Sequence, residues 1–391
     1  MSLLMDDQTV AAKILEHIAN KTTDAADEVW REPVANYTCA RRLQLEIKHI
    51  MQRWPTVFCP TSALPDRGSY VAREAAGTPL VAVRGEDDEI RVFRNACRHR
   101  GTQVAEGSGK TRVFVCAYHG WAYQLDGRLS HVPHEEGFPD LDKSCHGLVP
   151  VEAREQDGLV YVVQDPAPGC WDVLADIPLI IESDQQVFTA GDYTVQANWK
   201  IFAEGFLEGY HIKPAHKDTF YPYGYDNLNI VETYGRNGRI TFPFQRIEKL
   251  ADVAPAERRV DGRLTYVHHL FPNVMIAILS HFTSVVVLEP DGLGCTRTFA
   301  WTLTNRGKLD SDKAVEDAKR DAHFVNNTGQ QEDRDLVEAI QRGIASKAND
   351  CFTFGRYEKL VSHFHRNLHE CIGDTDIDAD ADSAAALGSN R

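Results

Sequence analysis

Cys97-Arg98-His99-Arg100-Gly101 and Cys116-Ala117-Tyr118-His119-Gly120-Trp121 decide how this chain is read. They offer two thiolates and two imidazoles as a Cys-x-His pair and a Cys-x-x-His pair, with 16 residues (100–115) between them. The run from Thr111 to Phe114 reads as a strand, which puts each pair on a loop of a small β domain. Two kinds of metal centre use such a set. Zinc takes two Cys and two His tetrahedrally. A [2Fe–2S] cluster takes two Cys on one iron and two His on the other. Each loop here supplies one Cys and one His, so the loops can clamp two irons between them. Gly101 and Gly120 follow the histidines closely, where the backbone must approach bridging sulfides. No helical His pair of the zinc-finger kind follows. The pattern favours the cluster, with Cys97, His99, Cys116 and His119 as ligands.

The whole chain is consistent with that centre. Its 391 residues suffice for two domains with separate cores. Asp plus Glu is 57 against 42 Lys plus Arg, a formal charge of −15, which argues against a nucleic-acid-binding surface. Nine cysteines form no paired framework; apart from the two cluster ligands they read as reduced thiols of a cytoplasmic protein. Met1 to Val10 lacks the apolar core of a signal peptide. No run approaches the roughly 20 apolar residues of a spanning helix.

Helical spacing over residues 8–19 and 40–51 predicts two packing helices. Short strands with turns between them follow at 71–73, 79–83, 89–94, 111–116, 122–125, 148–152 and 159–163, an all-β block over 53–165. Beyond Pro166 to Gly169, a strand at 186–196 and further strands between 227 and 303 predict a large antiparallel sheet. Helices are expected over 311–325, capped by Ser311, over 331–347 and over 357–371. The fold class is therefore α+β. The acidic tail 373–391 reads as disordered. Its alternating Asp374, Asp376, Asp378 and Asp380 lack the Gly and Glu of a calcium loop.

A second centre is expected after Trp199. Residues 198–211 read as one helix, with Glu204, Glu208 and His211 at i, i+4 and i+7 on one stripe. On a continuous helix His216 would point about 140° from His211. Pro214 breaks that continuity and lets His216 swing back. Two imidazoles and one carboxylate make the facial triad of non-haem Fe(II) oxygenases. By spacing alone the carboxylate is Glu204, Glu208 or a distant acid.

Taken together, the two motifs resemble those of the large (alpha) subunit of Rieske non-haem iron oxygenases, the aromatic-ring-hydroxylating dioxygenase family, over residues 30–350. Cys-x-His, 16 residues, Cys-x-x-His matches its cluster motif, and Glu208-x-x-His211-x4-His216 its iron motif. The resemblance implies an all-β Rieske domain (53–165) inserted into a helix-grip, START-like catalytic domain (166–372), with 1–52 as the helical start of the latter. It implies Asp333, within Glu332-Asp333-Arg334-Asp335, as the third iron ligand. It makes Glu208 the acidic bridge to a neighbouring subunit's cluster, in a head-to-tail homotrimer. It also implies O2 as co-substrate and electrons from NAD(P)H through a flavin reductase, with or without a ferredoxin. Glu204 remains a lesser catalytic candidate. Asn198, Trp199 and Lys200 match the family's Asn-Trp-Lys start and read as structural.

Substrate reading rests on apolar side chains. Phe202, Phe206, Leu207, Phe220, Tyr223, Met275, Ile278 and Phe282 are the pocket candidates, with His268 beside them. The aromatic cluster Phe220 to Tyr225 suits an aromatic or other apolar substrate. It suits a quaternary ammonium compound as the second choice, through cation–π contacts.

Overall fold

Alternation of buried and half-exposed residues, as along Ser69–Ala75, builds the first half of the structure. The computed structural model describes residues 4–305 and 312–373. Seven antiparallel strands run in the order Thr56–Pro60, Leu159–Val163, Pro150–Gln156, Ile90–Arg94, Thr78–Arg84, Ser69–Ala75, Gly107–Lys110. A three-stranded sheet of Phe114–Val115, Ala122–Tyr123 and Leu129–His131 packs over it through Phe114, Trp121 and Tyr123 against Val81, Val83 and Phe93. The strand expected over 111–116 is only two residues long. Thr111 bends the chain first: its Oγ1 donates to the Val113 carbonyl at 2.7 Å.

The second sheet is also seven-stranded and antiparallel. Its order is Val187–Val195, Thr296–Thr304, Phe282–Pro290, Val274–Ile278, Leu264–Leu270, Asn237–Pro243, Ile230–Tyr234. Phe282–Pro290 is buried on both faces. One face, with Val274, Ile276, Val285 and Val287, packs on Phe58, Tyr161 and Val163 of the first block. The other, with Val267, Met275, Val286 and Leu288, is covered by the helices Trp199–Gly205, Gly329–Ile344 and Lys359–Ile372. The sheet is thus the middle layer. Arg73 and Glu289 tie it to the first block through a buried ion pair at 2.9 Å. The same guanidinium donates to the Phe58 and Val57 carbonyls, and Glu289 accepts from the Ala76 N–H.

The N-terminal segment joins the second half. Asp7–Asn20, capped by Asp6, buries Val10, Ala11 and Ile14 against Ile230, Ile247 and Leu250. Trp30–Pro33 pairs antiparallel with Cys351–Phe354. The helix expected over 40–51 runs as Ala40–Glu46 and ends in a π turn, Ile47–Met51. Buried Glu46 holds Lys200 at 2.7 Å, Arg42 at 3.1 Å and the Trp199 indole N–H at 3.1 Å. Asn198 caps the following helix by accepting from the Lys200 N–H, so the structural reading of 198–200 stands on these contacts. Ser311, proposed as a cap for Asp312–Asn327, and the tail 374–391 lie outside the described residues.

Candidate metal centres

The two cysteine–histidine loops are built alike. Gly101 N–H donates to the Cys97 carbonyl at 2.8 Å, and Gly120 N–H to that of Cys116 at 2.9 Å. Cys97 N–H donates to Thr102, and Cys116 N–H to Trp121, both at 2.8 Å. Both turns need left-handed backbone, and glycine supplies it at φ 79° and 74°. The result sorts the donors by type. Cys97 and Cys116 are buried and face each other within hydrogen-bonding reach. His99 and His119 lie outward, with ring centroids 4.7 Å apart. Trp121 stacks on His99 at 5.0 Å and Tyr118 on His119 at 3.8 Å. Burial pushes the Cys116 thiol up. The backbone N–H groups of Tyr118 and His119 and the side chain of Cys97 outweigh that, so its pKa falls below the ordinary value. Tyr123 Oη lies 3.2 Å from Cys97 Sγ and accepts from the Arg98 N–H at 2.9 Å. A thiol pair beside an imidazole pair fits a cluster whose irons have different ligands.

The second centre differs from its expected build. Residues 198–211 are not one helix. Trp199–Gly205 ends at Phe206, and the chain from Leu207 to His211 is irregular. Gly209 lies so close to Asn229 that a Cβ would sit 2.3 Å from Asn229 Oδ1. Pro214 does not break a helix. It stands in the single turn Ile212–Ala215, where its missing N–H costs nothing. His211 and His216 flank that turn, with ring centroids 5.2 Å apart.

The i, i+4, i+7 stripe therefore dissolves. Glu204 turns inward and accepts from the Tyr37 hydroxyl at 2.7 Å and bonds His365 Nε2 at 2.9 Å, away from His211 and His216. Glu208 hydrogen-bonds His211 Nδ1 and accepts the backbone N–H groups of Tyr210 and His211. Asp333, on Gly329–Ile344, completes the group. Its Oδ1 lies 2.9 Å from His216 Nε2 and 3.5 Å from His211 Nε2. The three ligand atoms fall within 4.8 Å of one another. Burial opposes protonation of both imidazoles, yet Glu208 and Asp333 beside His211, and Asp333 and Glu332 beside His216, raise their pKa values. A pocket that stabilises positive charge between two imidazoles and a carboxylate fits a divalent cation. Bound Fe(II) at such a triad would supply the O2 chemistry, with electrons from the cluster.

Two functional neighbours, Glu332 and Thr219, were missed. Glu332, adjacent to Asp333, holds the other ring nitrogen of His216 at 2.8 Å and accepts from Thr219 Oγ1 at 2.7 Å. This carboxylate–imidazole contact fixes which nitrogen faces Asp333. Phe220 packs on His216 at 4.7 Å, and Gly329 leaves room for its ring. Paired acids in Glu332-Asp333 were the only sequence signal for this shell.

Of the pocket candidates, Phe220 touches the triad. Phe202, Leu207 and Met275 fill the helix-side core, with Phe206 at its edge. Phe282 packs on Ala318 and Ala322. Ile278 shares the opposite face with Val274 and Ile276, because strand side chains alternate. His268 lies on that face too, bonded to Tyr234. Tyr223 is 64 % exposed.

Comparison with known proteins agrees with this geometry. Residues 54–144 match the Rieske [2Fe-2S] domain, and residues 183–374 the ring hydroxylating alpha subunit (catalytic domain). The carnitine monooxygenase oxygenase subunit of Escherichia coli K12 is 28 % identical over 368 residues, covering 89 % of this chain and 95 % of that protein. The glycine betaine monooxygenase oxygenase subunit of Chromohalobacter salexigens is 29 % identical over 380 residues, covering 85 % and 83 %. The quaternary ammonium Rieske monooxygenase CntA superposes with a TM-score of 0.72 at 22 % identity, covering 90 % and 96 %. Naphthalene 1,2-dioxygenase from Rhodococcus sp. does so with 0.74 at 19 %, covering 95 % and 99 %, which shows a shared fold. Cysteine–histidine loops followed by a pocket of two histidines and one aspartate, in the order in which these domains combine, leave one assignment: this chain belongs to the Rieske non-haem iron oxygenases, oxidoreductases that carry a Rieske [2Fe–2S] cluster and a mononuclear iron and use O2.

Proposed function

We propose that the chain is the terminal oxygenase for a quaternary ammonium compound of the carnitine or betaine type. The observation that carries this is kinship along most of both chains with subunits named for carnitine and glycine betaine. It reverses the preference for an aromatic substrate drawn from the Phe220 to Tyr225 cluster. The Phe220 face beside His216 supports the same choice.

In this reading Cys97, His99, Cys116 and His119 hold the cluster, and His211, His216 and Asp333 hold the iron. The chain divides at 52/53 and 165/166. Glu208 orients His211 and reaches the cluster of a neighbouring copy in a head-to-tail homotrimer. CntA, whose structure is described with inter-subunit electron transfer, supports that arrangement. A flavin reductase, with or without a ferredoxin, supplies electrons from NAD(P)H. The seven cysteines beyond these two cluster ligands form no disulfide, which is consistent with a cytoplasmic setting.

The test is reductase- and NADH-dependent O2 uptake with carnitine, glycine betaine, choline, naphthalene and benzoate. At least one trimethylammonium compound should raise uptake several-fold and yield an oxygenated or demethylated product. Stimulation by an aromatic compound alone would overturn the proposal.

A further inference from the structure

Glu204, left over when the expected stripe dissolved, ends a buried chain of ionisable groups that the iron site does not use. Its Oε1 contacts His365 Nε2 at 2.9 Å. His365, fully buried, turns Nδ1 toward Glu32 Oε2 at 3.5 Å. Glu32, 1 % exposed, bonds His369 Nε2 at 3.0 Å, and His369 is one-third exposed to solvent. His365 and His369 stand four apart on Lys359–Ile372, so one helix face carries both imidazoles. Carboxylate and imidazole alternate over four residues from three separate parts of the chain.

The inner end reaches a half-open pocket. Glu204 and Glu358 line its floor with Val34 and Phe352, exposed Ser346 and Asn349 line its mouth, and the space is about 450 Å³. Tyr357, next to Glu358, packs its ring on Tyr210 at 4.6 Å, which places the pocket beside the loop that carries Glu208. His365 Nδ1 makes no full hydrogen bond although it is buried. Here Nδ1 faces a carboxylate a few tenths of an ångström beyond bonding distance.

We propose that His369, Glu32, His365 and Glu204 form a proton relay from solvent at His369 to the Glu204 carboxylate. A proton enters at His369, passes from its Nε2 to Glu32, reaches His365 Nδ1, and leaves Nε2 for the Glu204 carboxylate. At each transfer one N–H or O–H bond breaks and another forms; no electron moves. Tyr37, which donates to the same Glu204 oxygen, fixes the receiving carboxylate and passes no proton. The purpose of the relay rests on the oxygenase reading: R–H + O2 + 2e⁻ + 2H⁺ → R–OH + H2O, with electrons from NAD(P)H through the reductase. None of the four residues touches the reacting atoms.

The test separates the relay from that reading. In full-length protein labelled with ¹⁵N-histidine, NMR reads solvent exchange of the His365 ring protons, which requires no substrate. Exchange is expected to be at least tenfold slower in His369→Gln than in wild type, with thermal stability retained. Equal exchange in the two proteins, or no measurable exchange in either, overturns the relay whatever the enzyme oxidises. For the substrate that turns over, the solvent isotope effect on O2 uptake is expected to rise at least twofold in H369Q; an unchanged isotope effect counts against the relay.

Discussion

Replacing Glu332 by Ala should loosen the iron without touching any of its three proposed ligands. His216 is 1 % exposed, and its Nδ1–H loses its 2.8 Å acceptor in this variant. An unsatisfied buried donor costs about 1–3 kcal/mol, which is roughly 5- to 150-fold in an equilibrium constant. Loss of a carboxylate behind a metal-bound imidazole lowers affinity by about 10- to 100-fold. The two estimates overlap, and we expect the Fe(II) dissociation constant of E332A to rise roughly 10- to 100-fold. Glu332→Gln keeps an acceptor oxygen but loses the charge, and should cost less than about tenfold. Thr219→Val removes only the 2.7 Å bond that steadies Glu332 and should cost a few-fold. Anaerobic competition between iron-free protein and a chelator measures all three, with the cluster absorbance showing that the first domain is intact. An E332A affinity within twofold of wild type would refute the reasoning. So would an E332Q weaker than E332A.

Other expectations follow the same lines. Tyr123→Phe removes the hydroxyl at Cys97 Sγ, a contact that favours the more negative reduced cluster; its reduction potential should fall, on the order of 50 mV, in a redox titration. Glu289→Gln leaves the Arg73 guanidinium unpaired inside the molecule, and denaturant unfolding should show a loss of about 3–5 kcal/mol. Gly329→Ala would put a Cβ 2.0 Å from Phe220 Cζ, and should cost about 1–3 kcal/mol in stability while lowering kcat/KM. Burial holds His268 near pKa 3 and His269 near 4, so the folded protein leaves them neutral where the unfolded chain binds protons below about 6.5. Stability should therefore fall as pH drops from 6.5 to 4, by about 1.4 kcal/mol per unit for each group, and His269→Gln should reduce that slope in iron-loaded protein.

The cluster loops were legible because their chemistry is local: four donors, two glycines and one spacing. The β block was legible too, since turn residues punctuate its short apolar runs at 85–88 and 126–127. The iron loop was not. Its Glu204, Glu208 and His211 fit a helical stripe, yet Gly205 and Gly209 lie within it, and glycine disfavours helix by about 1 kcal/mol. The close approach of Asn229 to Gly209, from a segment 20 residues on, decides against the helix. Asp333 was reached through family likeness alone, because no local pattern joins positions 216 and 333. Ile278 was misplaced for a different reason. Val274–Ile278 is apolar throughout, being packed on both sides, and such a run does not reveal which side faces the helices.

The pairing of Glu32 with Phe352 spans 320 positions (352 − 32) and has a consequence for biosynthesis. At about 5–20 residues per second, the ribosome takes roughly 15–60 s to deliver the second strand after the first. The strands between Thr56 and Val163 need nothing beyond themselves to pair, so the cluster cradle can close while the opening segment still waits for its mate. Assembly order on the ribosome thus runs from the middle outward, and the ends of the chain are knitted together last.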